Sequence, residues 1–273
     1  MGEPDPPSWT SVSISPIEHP AVKQAFNCTQ EIWQVTSDGM VEFDDEEDEF
    51  GVCIHMQNEI GTIQPIADIP TTYCISDMCQ SLGKIPVNVT NLNVDYAMFG
   101  AHKFGGPSGV GFIYLKNTRD WEEFGTGSRY FMDIPGSPNV CAIVASSVGL
   151  EVALRTLPER TEKMVSFRDC LEPGLKELGF EIIGEGAERC PNTTFAKVPG
   201  EFNAGINLML KLGQKKIHVG LGSACGSLHM GGSPLMEALG RPSDGQDYVR
   251  ISQWGEYGKT DAEYLLNAIQ GAI

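Results

Sequence analysis

The chain has 273 residues, enough for one large domain or two modest ones around a sizeable core. Hydrophobic residues make up 41% and charged residues 20%, ordinary globular usage that excludes a largely disordered chain. The 19 basic against 36 acidic side chains leave a net charge of −17, which repels phosphate backbones and anionic membranes, so no nucleic-acid or membrane partner is expected. No apolar run is read as long enough to span a bilayer, and the opening Met1-Gly2-Glu3-Pro4-Asp5 carries no leader pattern. A cytoplasmic protein is expected.

Val12, Ile14 and Ile17 alternate through a predicted strand ending at Glu18-His19-Pro20, and a helix is predicted to begin with Ala21-Val22-Lys23-Gln24-Ala25-Phe26. Glu42 to Glu49 holds seven acids in eight residues and reads as a solvated loop. Gly51 to Met56 is a predicted buried strand leading into the polar loop Gln57-Asn58-Glu59-Ile60-Gly61-Thr62. Further strands are predicted at Thr72 to Ser76, with Asp77 at the end, and at Val94 to Phe99. The glycine-rich turn at 105–111 leads into Gly111 to Leu115. Such short apolar strands separated by helix-compatible segments predict an α/β sheet, whose ligands collect at the carboxyl ends of strands. From about residue 141 the pattern turns helical, with a long amphipathic stretch from Pro158 to Leu178, then short strands at 181–183 and 193–198. A large α/β domain over 1–155 and a smaller α+β domain over 156–273 are expected.

The eight cysteines include no Cys-x-x-Cys pair, and the spacing of Cys74 and Cys79 fits no common zinc template, so no metal site is expected. Most read as small buried hydrophobes in a reducing compartment. Cys225, within Gly220-Leu221-Gly222-Ser223-Ala224-Cys225-Gly226-Ser227, lies in a glycine- and serine-rich segment with little reason to be core.

Ala101-His102-Lys103-Phe104-Gly105-Gly106-Pro107 is the most informative stretch. The glycines follow the lysine, so neither a phosphate loop nor a dinucleotide fingerprint is present. Such a lysine fits a surface position, or a Schiff-base amine held in partial burial and fixed geometry. Pyridoxal phosphate needs a carboxylate on its pyridinium nitrogen, a donor at its phenolic oxygen and an aromatic stack. Asp77 and Gln80 in Ser76-Asp77-Met78-Cys79-Gln80-Ser81-Leu82-Gly83-Lys84, Asn58, and His19 could supply these.

In order and spacing, these segments resemble the class V, fold-type I pyridoxal-phosphate enzymes, specifically cysteine desulfurases and selenocysteine lyases, from about Ser11 to Ser252. The resemblance implies a mixed, mainly parallel sheet flanked by helices. It also implies that Lys103 holds the cofactor, Asp77 pairs with the pyridinium nitrogen, and His19 stacks on the ring. Asn58 and Gln80 would approach the phenolic oxygen and His102 the phosphate. Ser137 sits where the family places a threonine that reaches the phosphate of a partner subunit, which implies a homodimer. Cys225 corresponds to the catalytic cysteine that takes the sulfur of L-cysteine as a persulfide, with alanine released. Tyr248-Val249-Arg250-Ile251-Ser252 matches the strand whose arginine holds the substrate carboxylate, a bidentate task that suits arginine.

Departures accompany the matches. Gly100 and Ala101 precede His102 where the family often has a phosphate-binding serine, Ile134 replaces an arginine, and Gln57 replaces the first of two asparagines. The Gly-Ala/Ser-Thr loop that cradles the phosphate is missing ahead of Glu18-His19, so weak cofactor binding is expected, with a second polypeptide able to restore it. The resulting expectation is a cysteine desulfurase that hands persulfide sulfur to an acceptor or scaffold protein. The alternatives are a non-catalytic scaffold of the same fold, or a class V aminotransferase or selenocysteine lyase.

Overall fold

The computed structural model describes residues 11–26, 31–44, 48–117, 137–200, 202–222, 234–241 and 246–273. Strands β1 (Val12–Ile14), β2 (Glu31–Ile32), β5 (Phe50–Val52), β6 (Tyr73–Asp77), β7 (Tyr96–Gly100) and β8 (Gly111–Leu115) form a six-stranded sheet in the order β2-β1-β5-β6-β7-β8. Every pair is parallel except β7 with β8, so the sheet is mixed and mainly parallel, as the sequence implies. A hairpin of β3 (Gln34–Val35) and β4 (Val41–Glu42) stands apart from it. A second sheet is antiparallel, ordered β11-β10-β9, from β9 (Glu181–Ile182), β10 (Thr193–Lys197) and β11 (Tyr248–Ser252). The helices are α1 (Pro20–Ala25), α2 (Val140–Glu177), α3 (Ala204–Gln214), α4 (Pro234–Ala238) and α5 (Lys259–Gln270).

The two sheets share apolar packing. Ile54, Met78 and Phe99 at the large sheet belong to the same buried cluster as Phe195 and Tyr248 of the small one. A second cluster packs Phe167, Leu171 and Leu175 of α2 against Val249 of β11 and Leu265 and Ile269 of α5. The expected division at 155/156 falls inside α2, and the helix serves both sides of it. Ala153 packs with Ala101 and Phe104 beside the Lys103 turn, while the following turns of α2 build the second cluster. Farther along, Arg189 makes a two-pronged contact with Glu172 of α2 at 3.0 and 2.9 Å, and Thr194 Oγ1 donates to the same carboxylate at 2.9 Å. Removing one partner of such a buried pair strands a charge, so it ties α2 to β10.

Two glycines explain how the Lys103 turn is held. Gly105 adopts a left-handed φ of +95°. A Cβ on Gly149 of α2 would lie 3.0 Å from Gly105 O, so only glycine lets the helix backbone press against that turn.

Two expectations need correction. The acidic run is not wholly a solvated loop: Asp48 is 7% exposed and accepts a bond from Ser13 Oγ, and Asp44 accepts from Trp33 Nε1 at 3.3 Å. Buried hydroxyl and indole donors recruit two of its carboxylates into the structure. A long apolar run does exist. Helix α2 has an 18-residue window of mean hydropathy 1.7, long and apolar enough by length and composition to cross a membrane, with 22% of that window buried. Its polar members, Ser146, Ser147, Glu151 and Arg155, break the run when read as a string but leave an apolar stripe on the helix.

Candidate active site

A cleft of about 380 Å³ opens at the carboxyl ends of β6 and β7, where they face the small sheet. Parallel strands leave their ligand-facing ends on one edge, which is where Lys103, Gln80 and Asn58 converge. His102 and Lys84 complete that wall. The opposite wall is Asn192, Thr193, Arg250, Ser252, Gln253 and Trp254.

Lys103 ends a single 3-10 turn, Ala101–Lys103, that follows β7 directly, and it is half-buried. On the neighbouring strand, Asp77 is 8% exposed at the end of β6, with Oδ1 accepting from Cys79 N at 2.9 Å. Arg250 is bridged in both directions to Gly220, at 2.9 and 2.7 Å, and its Nη1 donates to Asn58 O at 3.1 Å. That last bond joins the small-sheet arginine to the loop after β5. Burial pushes the His102 imidazolium down, and the charges of Lys103 and Lys84 push it further the same way.

Other sequence-predicted residues lie elsewhere. His19 is the N-cap of α1, its Nδ1 accepting from Ala21 N at 3.2 Å, and it does not line the cleft. A neutral ring in that role carries its proton on Nε2. Asp77 sits behind the cleft surface and is not part of its lining. Ser137 is exposed, two residues before Asn139, the N-cap of α2. Cys225 and Ile134 lie outside the described residues.

Lys84, Asn192, Thr193, Gln253 and Trp254 line the cleft although the sequence pattern did not single them out as site residues. The available signal was position: Lys84 is four residues beyond Gln80, and Gln253 and Trp254 directly follow the arginine strand. Trp254 is held by the Arg160 guanidinium, 4.3 Å from its ring centroid, while Arg160 Nη2 donates to Gly83 O at 2.6 Å.

Glu18 explains how a second carboxyl tolerates a place near Asp77. It is 3% exposed, Oε1 accepts from Ile54 N, and Oε2 has no partner among the described residues. Burial raises it well above the ordinary carboxylate range, and Asp77 raises it further. The shift favours the neutral form of Glu18 and so lessens the negative charge that competes with Asp77. The cysteines nearby are also disarmed: burial, aided by Asp77, pushes the Cys79 thiol up to about 12, and burial raises Cys53 and Cys74 as well. A protonated thiol is a poor nucleophile.

A family model described as aminotransferase class-V matches residues 21–263. The chain belongs to this family. Among curated relatives, it is 29% identical to cysteine desulfurase IscS of Dictyoglomus turgidum, covering 96% of this chain and 72% of that protein. It is 28% identical to a cysteine desulfurase of Sinorhizobium fredii, over 98% of this chain and 74% of the relative. Against the Clostridium botulinum IscS the identity is 29%, but the match spans 57% of the relative's length. Among solved structures, a NifS-like protein superposes with a TM-score of 0.78 at 28% identity, covering 96% of this chain and 74% of that one. The apo cysteine desulfurase of Thermococcus onnurineus NA1, at 19% identity and a TM-score of 0.76, supports the fold alone.

Class V enzymes use pyridoxal phosphate, and the residues present fit that group. The cleft carries Lys84, Lys103 and Arg250 in its lining, suited to an anionic ligand, and its volume falls in the usual ligand-site range of roughly 300–1,000 Å³. Arg250 Nε, Asn192 Oδ1 and Gln253 Nε2 are buried without partners among the described residues, a lining that polar ligand groups would complete.

Glu18 generates a pH prediction. Its raised folded-state value means its favourable contribution is complete below the ordinary value of 4.5 and is lost as pH rises through the folded value. Thermal melts should therefore show wild type losing ground to Glu18→Gln between pH 4.5 and neutrality, by up to about 1.4 kcal/mol per pH unit. Parallel stability curves for the two proteins would contradict a neutral Glu18.

Proposed function

We propose that this chain is a pyridoxal-phosphate-dependent cysteine desulfurase acting on L-cysteine. The observation that carries the reading is the convergence of Lys103, Gln80, Asn58 and Arg250 on one cleft, with Asp77 buried at the end of the adjacent strand. The cysteine desulfurases among its relatives support the choice of substrate.

When bound, pyridoxal phosphate supplies an electron sink that acidifies the α-carbon of an amino acid. Every other task falls to the chain. Lys103 holds the cofactor and then moves the proton at the substrate α-carbon, which its place at the end of a short, packed turn suits. Arg250 holds the substrate carboxylate; its guanidinium is already fixed by Asn58 O. Asn58 and Gln80 would donate at the phenolic oxygen, and Asp77, behind the cleft lining at the end of β6, is assigned to the pyridinium nitrogen on the family resemblance. The Cys225 thiolate attacks the substrate sulfur: an S–S bond forms, the C–S bond breaks, and the released carbon skeleton takes up protons to leave as alanine. The resulting persulfide passes to an acceptor protein, in iron–sulfur cluster or thiolation chemistry. His19 and His102 are assigned to the ring face and the phosphate on the family resemblance.

The test loads the protein with pyridoxal phosphate and adds L-cysteine with a reductant. Alanine and sulfide should appear in equal amounts, and Cys225→Ala should release no sulfide while still changing the visible spectrum on adding cysteine. Wild-type sulfide release by that variant would remove Cys225 from the reaction. Transfer of the amino group of L-cysteine to a 2-oxo acid acceptor, with neither alanine nor sulfide formed from the cysteine, would favour an aminotransferase.

We also propose a homodimer. Val140, Ile143, Val144 and Val148 are 61%, 50%, 58% and 55% exposed along one side of α2, and Phe112 and Ile113 of β8 are 40% and 47% exposed. Isolated exposed apolar residues are ordinary, whereas a stripe at helical spacing calls for a cover. Sedimentation should find a dimer at micromolar concentration and a monomer for Val144→Lys. A wild-type monomer would contradict the proposal.

A further inference from the structure

The reaction above leaves Lys84 without a task, yet it is the more deeply buried of the two lysines lining the cleft, at 6% exposure. It follows the left-handed turn at Gly83, φ +78°, and its backbone N–H donates to Ser81 O at 3.0 Å. Its Nζ donates to Gln80 Oε1. Among the described residues that is the hydrogen bond made by the Gln80 side-chain amide, and the Nε2 end has no partner.

An ammonium has three donors and no acceptor. The amide of Gln80 must therefore turn its oxygen toward Lys84 and leave its N–H₂ end for the cleft. A flipped amide would set N–H₂ against the ammonium and an oxygen against the negatively charged oxygen of a bound cofactor, and both contacts repel. Burial, with the charges of Lys103 and Arg250 adding to it and Cys190 opposing, pulls Lys84 down to about 8. That still leaves it protonated, and donor-only, at neutral pH.

We propose that Lys84 is a positioning residue that locks the Gln80 amide as a donor toward the phenolic oxygen of pyridoxal phosphate. The proposal rests on the cofactor reading given above and assigns Lys84 no contact with the reacting atoms. Acting through Gln80, it should lose its influence once Gln80 is gone.

A double-mutant cycle read by equilibrium dialysis of pyridoxal phosphate and by the visible band tests this. Lys84→Met and Gln80→Leu should each weaken binding about tenfold, and the double variant should bind within about threefold of Gln80→Leu alone. Lys84→Met should also move the visible band in the same direction as Gln80→Leu. Losses that multiply to about a hundredfold, or a Lys84→Met protein that binds like wild type, would overturn the proposal. Far-UV circular dichroism checks that each variant folds. Should Lys84→Met fail, Lys84→Arg keeps a donor-only side chain and should bind within about threefold of wild type, with Gln80→Leu still costing about tenfold in that background. An arginine variant in which Gln80→Leu costs nothing would overturn the proposal. Wild-type protein that takes up no cofactor would remove the functional reading and this one together, whereas wild-type uptake with multiplying losses removes this one alone.

Discussion

The parallel ladder between β6 and β7 sets Asp77 opposite Met98, and Met78 N–H extends it by donating to Met98 O at 3.0 Å. From Met98 the chain has two residues of strand left before the 3-10 turn that presents Lys103. The register of one strand pair thus fixes how far the buried carboxylate stands from the amine. A slip of one residue would turn every side chain on β7 to the opposite face. The antiparallel pairing of β8 with β7, from Tyr96–Leu115 to Gly100–Gly111, secures that register from the other side.

Around that ladder, charge is managed by burial. Burial first, and then the charge of Asp77, push both Glu18 and Cys79 toward their neutral forms. His55, whose backbone N–H donates to Asp77 O at 3.0 Å, is pushed by burial down to about 4 and so is neutral at physiological pH. The positive groups, Lys84, Lys103 and Arg250, line the cleft itself. A chain with a net charge of −17 thus places three of its 19 basic side chains in a cleft suited to an anionic cofactor and an amino-acid carboxylate.

Much of this was legible in the sequence. Apolar strands bounded by polar turns located β6, β7 and β8, and the residues at their ends include Asp77 and Lys103. What stayed hidden depended on contacts distant in sequence. The helical pattern from about residue 141 to Leu178 was legible, but not its packing against α5 and the Lys103 turn. That packing accompanies the 38-residue run of α2 through Pro158 and Pro173, each of which lacks a backbone donor. Lys84 carried no signal of its own in the sequence, and its burial in a cleft shared with Asn192 and Arg250 depends on the fold. Asp48 reads as one more solvated acid until Ser13 of β1 is seen beside it. The ring of Trp254 owes its place to Arg160, 94 residues away, and no local pattern encodes that pairing.

The central claim is that the turn after β7 places one particular amine to carry the cofactor. Borohydride reduction of protein incubated with saturating pyridoxal phosphate, followed by proteolysis and mass mapping, reads this directly. The account predicts a single pyridoxyl-modified peptide, containing Lys103, with Lys84 unmodified although it lines the same cleft. Modification at Lys84 or at another lysine in place of Lys103 would contradict it.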